Sequence, residues 1–161
     1  MNPTKMNSTY PDANFTMRVS YGNIKSYNPK DAVKYDFYCT LSGVASKYVK
    51  GDYEFDLPSK FLDLYKAKDF GPYADKKIGD VVVSFITTND ITGGNSGSPV
   101  LDANGNLIGL AFDGNYEALS HKIAFDSALN RTICVDVRYV LWCIDKLGGA
   151  KHIVDELKLV Q

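Results

Sequence analysis

At 161 residues, 45% of them hydrophobic, the chain is long enough for one domain with its own core and too short for two full ones. Its 18 basic residues are scattered among 19 acidic ones, for a net charge of −1, with no basic run or basic helix face. That distribution argues against nucleic acid or an anionic membrane as the main partner, and no run of about 18 apolar residues is available to span a bilayer.

Residues 1–11 are polar, contain Pro3 and Pro11, and read as a disordered lead-in or a cloning scar. The opening Met1-Asn2-Pro3-Thr4-Lys5-Met6 lacks the apolar region of an export signal, which says nothing about a longer parent. From Ala13 the pattern alternates strictly, with Ala13, Phe15, Met17, Val19 and Tyr21 on one face, which predicts a half-buried strand. After an expected turn at Asn28-Pro29, Val33, Tyr35, Phe37 and Cys39 repeat the signal as an antiparallel neighbour. Between Leu57 and Lys68 the spacing becomes helical, and Pro58-Ser59 suits a helix start. A loop over 70–80 leads to a strand from Val81 to Thr87. Pro99 to Asp102 and Leu107 to Phe112 form a hairpin around Asn104-Gly105. Thr132 to Val135 is the last strand. Asp136 then caps a helix with the stripe Val137, Val140, Leu141 and Ile144, ended by Gly148-Gly149, and a second stripe of Ile153, Val154 and Leu157 closes the chain.

Chemistry concentrates in Thr92-Gly93-Gly94-Asn95-Ser96-Gly97-Ser98-Pro99. Glycines on either side let the backbone fold tightly around Ser96, so that the N–H groups of Gly94 and Ser96 could face a developing oxyanion. The register differs from the G-x-S-x-G nucleophile elbow, and no lysine follows to make a phosphate loop. A plain Gly/Ser/Asn turn between strands is the competing reading. The cysteines Cys39, Cys134 and Cys143 show no metal-binding spacing and read as small buried apolar residues; no metal or cofactor is expected.

The segment Phe85 to Val100, followed by Leu107 to Asn115, resembles the second β-barrel of chymotrypsin-like serine peptidases. With Asp12-Ala13-Asn14-Phe15-Thr16-Met17-Arg18, Tyr53-Glu54-Phe55-Asp56 and Val135-Asp136-Val137-Arg138-Tyr139-Val140-Leu141, the stretch from about Asp12 to Leu157 is similar to the C-terminal part of the bacterial dipeptidyl-peptidase 7 and 11 family. The resemblance implies a mainly β fold over residues 12–161: the second, C-terminal barrel half of a chymotrypsin-like domain, with a covering helix and C-terminal helices. It implies Ser96 as nucleophile and Gly94 as an oxyanion-hole N–H donor. Asp113 would receive the substrate's terminal amine, although Asp113-Gly114-Asn115 also reads as a turn. Gly114 matches the family position where arginine selects an acidic residue before the cut and glycine a bulky apolar one, which points to the dipeptidyl-peptidase 7-like branch. Asn95 stands where peptidases of this clan usually carry aspartate, and the family shares that asparagine.

A serine nucleophile needs a base, and the two histidines, His121 and His152, both follow Ser96. His152 reads as a surface residue of the terminal helix; His121, Lys122 and Lys77 are weak substitutes. The expectation is therefore a nucleophile-bearing half whose histidine and aspartate lie in a first barrel upstream, separated from it by a helical insertion, so that this chain alone is inactive. Peptides and those missing parts are the expected partners, a homodimer is allowed, and the resemblance implies a periplasmic or cell-surface parent. Two alternatives stay open: a peptide-binding module that has lost catalysis, and a chymotrypsin-like endopeptidase barrel.

Overall fold

A computed structural model describes residues 17–120 and 125–160. Strands β1 (Tyr27–Lys30) and β2 (Val33–Tyr35) form a two-stranded antiparallel sheet. Strands β3 (Tyr38–Thr40), β4 (Val82–Thr87), β5 (Pro99–Leu101), β6 (Leu107–Gly114) and β7 (Thr132–Asp136) build a five-stranded sheet in the spatial order β3-β4-β7-β6-β5. Every neighbouring pair in it is antiparallel. Among the described residues this sheet stays open, with β3 and β5 at its edges, so the expected barrel wall is present without a closed barrel.

The centre is the β4–β7 pair, with Phe85 opposite Cys134 and Thr87 opposite Thr132. Alternation puts Thr132, Cys134 and Asp136 inside, as the period of two requires. Burial pushes the Cys134 thiol up to about 11, so it remains an inert thiol. Cys39, expected to be buried, is exposed on edge strand β3; in a strand with one wet face, the register outweighs the residue's preference for the interior.

Gly109 on β6 allows the Phe85 ring and the β7 backbone to approach together. A Cβ there would lie 2.6 Å from Val135 O and 2.8 Å from the Phe85 ring. Gly109→Ala is therefore expected to cost roughly 1–3 kcal/mol through overpacking. Urea unfolding measures it; a loss below a few tenths would show that Phe85 moves aside without cost.

Helices α1 (Leu41–Ala45), α2 (Ser59–Lys66), α3 (Val137–Trp142) and α4 (Lys151–Asp155) supply the second core. There Trp142 is fully buried, meets Phe61 edge-on at 5.4 Å and donates its indole N–H to Asp69 O at 3.0 Å. Asp136 caps α3 as expected, its Oδ1 accepting the Arg138 N–H at 2.8 Å. The Arg138 guanidinium then grips Asp136 and, at 3.0 Å, Asp75, tying the 70–80 loop to the end of β7. After Trp142 the chain widens into a π-helical turn over Cys143–Leu147, and Gly149 turns away at φ +68°. Of the terminal stripe only Val154 is buried; Ile153 and Leu157 are exposed.

Three further early expectations differ from the structure. The run Val33 to Cys39, expected as one strand, breaks into β2, which pairs with β1, and β3, which pairs with β4 in the other sheet. The alternating run to Tyr21 is no strand over its described part: residues 17–23 are irregular, and Met17, Val19 and Tyr21 point to solvent. The segment makes one bridge to the sheet, Ile24 with Thr87. Gly22 explains the crossing, since a Cβ there would sit 2.4 Å from Asn89 N. The turn is also displaced: Asn28-Pro29 lies inside β1, and the reversal falls at Asp31-Ala32, where Ala32 adopts φ +61°.

Candidate active site

The loop from Asn89 to Ser98 joins the central strand β4 to edge strand β5, and short polar contacts fix its two ends. Thr132 Oγ1 donates to Asn89 O at 2.6 Å, and Ser20 Oγ donates to Asp90 O at 2.6 Å. At the far end Gly97 N–H donates to Ala111 O at 2.7 Å, and Ala111 N–H donates to Ser98 O at 2.9 Å. Within the loop Asn95 acts as a staple: its Oδ1 accepts the Thr92 N–H at 2.9 Å, and its own N–H donates to Thr92 O at 3.1 Å. This structural duty needs an acceptor oxygen, which an asparagine supplies without a charge.

Gly94 and Gly97 take φ +96° and +82°, the left-handed region that strains any residue with a Cβ. Ser96 is held between them. Among the described residues, neither Gly94 N–H nor Ser96 N–H donates to a protein acceptor. The Ser96 hydroxyl donates to Phe112 O at 3.1 Å. That carbonyl belongs to a bulge: the β6–β7 register breaks between Ala111 and Asp113, leaving Phe112 without a cross-strand counterpart.

Ser96 stands at a cavity of about 130 Å³ whose lining also includes Asp113, Gly114, Asn89, Asp90, Phe112 and Asn130. Asp113 is exposed and makes no ion pair among the described residues; its Oδ1 accepts the Gly114 N–H at 2.7 Å. The strand runs through Gly114 before a short 3₁₀ turn, Tyr116–Ser120, so Asp113-Gly114-Asn115 is not a tight hairpin. Gly114 has an ordinary φ, and its requirement is space. An added Cβ would meet the Ala118 Cβ at 3.2 Å.

The turn is braced from behind by Asn115, whose Oδ1 accepts the Arg131 N–H at 2.8 Å and whose Nδ2 donates to Leu129 O and Glu117. Tyr27 hydroxyl donates to the same Glu117 carboxylate at 2.8 Å. Arg131 is buried over the Tyr27 ring, and burial lowers its pKa. Its Nε, Nη1 and Nη2 donate to the carbonyls of Lys25, Ser127, Asn130 and Ser26.

The structure thus brings Ser96, Asp113 and Gly114 to one cavity, with Gly94 in the adjoining loop. It does not bring His152 or Lys77 there: neither lines the cavity, and both are exposed. His121 and Lys122 lie outside the described residues. Among the described residues no cluster of His, Cys, Asp or Glu could hold a metal ion. Sequence reasoning missed Asn130 and Arg131, isolated polar residues at a strand start that carry no motif.

The family model for peptidase S46 matches residues 1–159. The chain belongs to the peptidase S46 family. It is 60% identical over 151 residues to dipeptidyl-peptidase 7 of Phocaeicola vulgatus and 52% identical over 151 residues to the Asp/Glu-specific dipeptidyl-peptidase of Flavobacterium psychrophilum. Each alignment covers 94% of this chain and 21% of the relative, so the S46 chain spans about a fifth of the length of these proteins. A crystal structure of Porphyromonas endodontalis DPP11 in complex with the dipeptide Arg-Glu matches with a TM-score of 0.86 at 44% identity, covering 91% of this chain and 21% of that one. The mainly β fold and the dipeptidyl-peptidase kinship expected from the sequence are both upheld.

Proposed function

We propose that Ser96 is the nucleophile of a serine dipeptidyl aminopeptidase, the full-length protein of which this chain is the nucleophile-bearing part. The observation that carries this reading is the pair of amide N–H groups at Gly94 and Ser96, which no acceptor among the described residues takes up, set between two left-handed glycines beside a side-chain-sized cavity. In the mechanism the Ser96 hydroxyl leaves Phe112 O and gives its proton to a histidine supplied, with its aspartate, from outside this chain. Ser96 Oγ attacks the peptide carbonyl, the two N–H groups hold the oxyanion, and collapse expels the amine to leave an acyl-enzyme. Water then releases the dipeptide.

Asp113, exposed at the rim, receives the ammonium of the substrate's free amino terminus. Gly114 opens the cavity to a bulky apolar side chain before the cut. The Asp113 residue on the cavity lining disfavours an acidic side chain, and the guanidinium of Arg131 is already committed to carbonyls. Such a protein would act outside the cytoplasm, in the periplasm or at the cell surface.

Full-length protein should cleave an Xaa-Leu reporter with a free amino terminus and lose at least about tenfold in kcat/KM when that terminus is acetylated, because an uncompensated carboxylate is left facing the amide. Equal cleavage of the two would favour the endopeptidase reading. Binding of the free peptide without cleavage would favour the module that has lost catalysis.

A further inference from the structure

Asn130 precedes β7, and its main chain is fixed on both sides: its N–H donates to Asp126 O at 2.7 Å, and its carbonyl accepts Arg131 Nη1 at 2.7 Å. The side chain is carried into the interior, with only 2% of the residue exposed. Its Nδ2 is fully buried and has no hydrogen-bond partner among the described residues, and Asn130 lines the cavity beside Ser96. A buried amide donor without an acceptor is unfavourable, so a native site that retains one calls for a partner that arrives. Among the described residues the neighbouring wall does not supply it: the hydroxyls of Thr92, Ser96 and Thr132 and the carboxylates of Asp90 and Asp113 line the same cavity without bonding Nδ2. Ile91, Phe112, Ala118 and Phe125 present apolar side chains, Arg131 offers only donors, and Asn89 Oδ1 is engaged by the Thr87 hydroxyl.

Resting on the peptidase reading above, we infer that Asn130 is a specificity-determining residue of the substrate cavity. Its Nδ2 donates to an oxygen carried near the end of the side chain that precedes the scissile bond. The cavity volume of about 130 Å³ is close to that of the engineered apolar cavity of about 150 Å³ that takes up benzene, so one medium or large side chain fills it. Gly114 and the apolar wall select for size; Asn130 then separates side chains of equal size by whether they bring an acceptor. Glutamine and methionine sulfoxide carry such an oxygen, and the hydrocarbon chain of norleucine, of similar length, does not. A site that hydrogen-bonds its substrate discriminates against the analogue lacking the group, because the site's own polar atom is then left unpaired.

The test uses the full-length protein and reporters with a free amino terminus carrying glutamine, methionine sulfoxide or norleucine before the cut. Asn130→Leu and Asn130→Ala both remove the donor while changing the local volume in different ways, so a shared effect reads the donor rather than the space. In both variants the glutamine-to-norleucine and sulfoxide-to-norleucine ratios of kcat/KM should fall by about tenfold, whatever the change in norleucine cleavage itself. Should one variant fail to fold, the other alone reads the ratio. Ratios within about twofold of wild type, in a protein that still cleaves the norleucine reporter, would overturn the role of Asn130 and leave the peptidase reading standing. No cleavage of any reporter by the wild-type protein would overturn both.

Discussion

Ser96→Ala in the full-length protein should lower kcat on a dipeptidyl reporter by roughly 10⁴-fold or more, whereas Ser98→Ala should keep most of the activity. The two serines are separated by one residue and differ in what the backbone does around them. Ser96 sits between glycines at φ +96° and +82°, with its hydroxyl on the bulge carbonyl of Phe112 and its N–H unclaimed among the described residues. Ser98 is pinned instead through its main chain, its N–H donating to Asn95 O at 2.9 Å and its carbonyl accepting from Ala111. Removing the Ser96 hydroxyl leaves the loop geometry intact, because its one bond is to a carbonyl that solvent can also satisfy. The loss should therefore appear in kcat with little change in unfolding midpoint. Comparable losses from both substitutions would mean that the nucleophile lies in the other register.

Gly114→Arg should move the preference of the full-length protein from leucine toward aspartate or glutamate before the cut. A guanidinium at that wall brings a cation to the cavity, where a substrate carboxylate before the cut can pair with it and a leucine side chain cannot. That difference is worth roughly 1–3 kcal/mol, or several-fold to about a hundredfold in the ratio of kcat/KM values. The substitution has a local cost: the new Cβ comes within 3.2 Å of the Ala118 Cβ, so the Tyr116–Ser120 turn must yield by a few tenths of an ångström. Asn115 and Glu117 brace that turn, so overall activity should fall even as the ratio shifts. A leucine-to-aspartate ratio unchanged by the substitution would place the substrate side chain elsewhere.

The elements legible in the sequence are those decided locally. The Asp136 cap, the apolar stripe that buries Leu141, and the glycines around Ser96 are dictated by geometry within a few residues, and the structure has each where the sequence implies it. The run to Tyr21 has an equally clean alternation, yet its apolar row faces solvent. Period two reports a face without saying whether a sheet is there to receive it, and the contact that decides the path, Gly22 against Asn89, spans more than sixty positions. The displaced first turn has a similar cause. Asn28-Pro29 carries turn residues, but pairing of Tyr27 with Tyr35 and of Lys30 with Val33 moves the reversal to Asp31-Ala32.

The candidate site divides the same way. Ser96 and Gly94 belong to one loop and announce themselves by composition. Asp113 and Gly114 became visible through the family resemblance, and the register of β6 carries them to the same cavity. Asn130 and Arg131 stayed invisible because nothing in their neighbours' spacing distinguishes them from surface polar residues. Only the fold shows that one buries an amide unpartnered among the described residues and the other a guanidinium held by carbonyls.

The central claim, that this loop carries an acyl-transfer nucleophile whose base comes from outside the chain, is tested most directly by fluorophosphonate labelling followed by peptide mass mapping. The full-length protein should take up one phosphonyl group on Ser96, and the isolated 161-residue chain, folded, should remain unlabelled over the same time. Stoichiometric labelling of Ser96 in the isolated chain would place the base within it, and an adduct on any other serine of an active full-length protein would contradict the assignment outright.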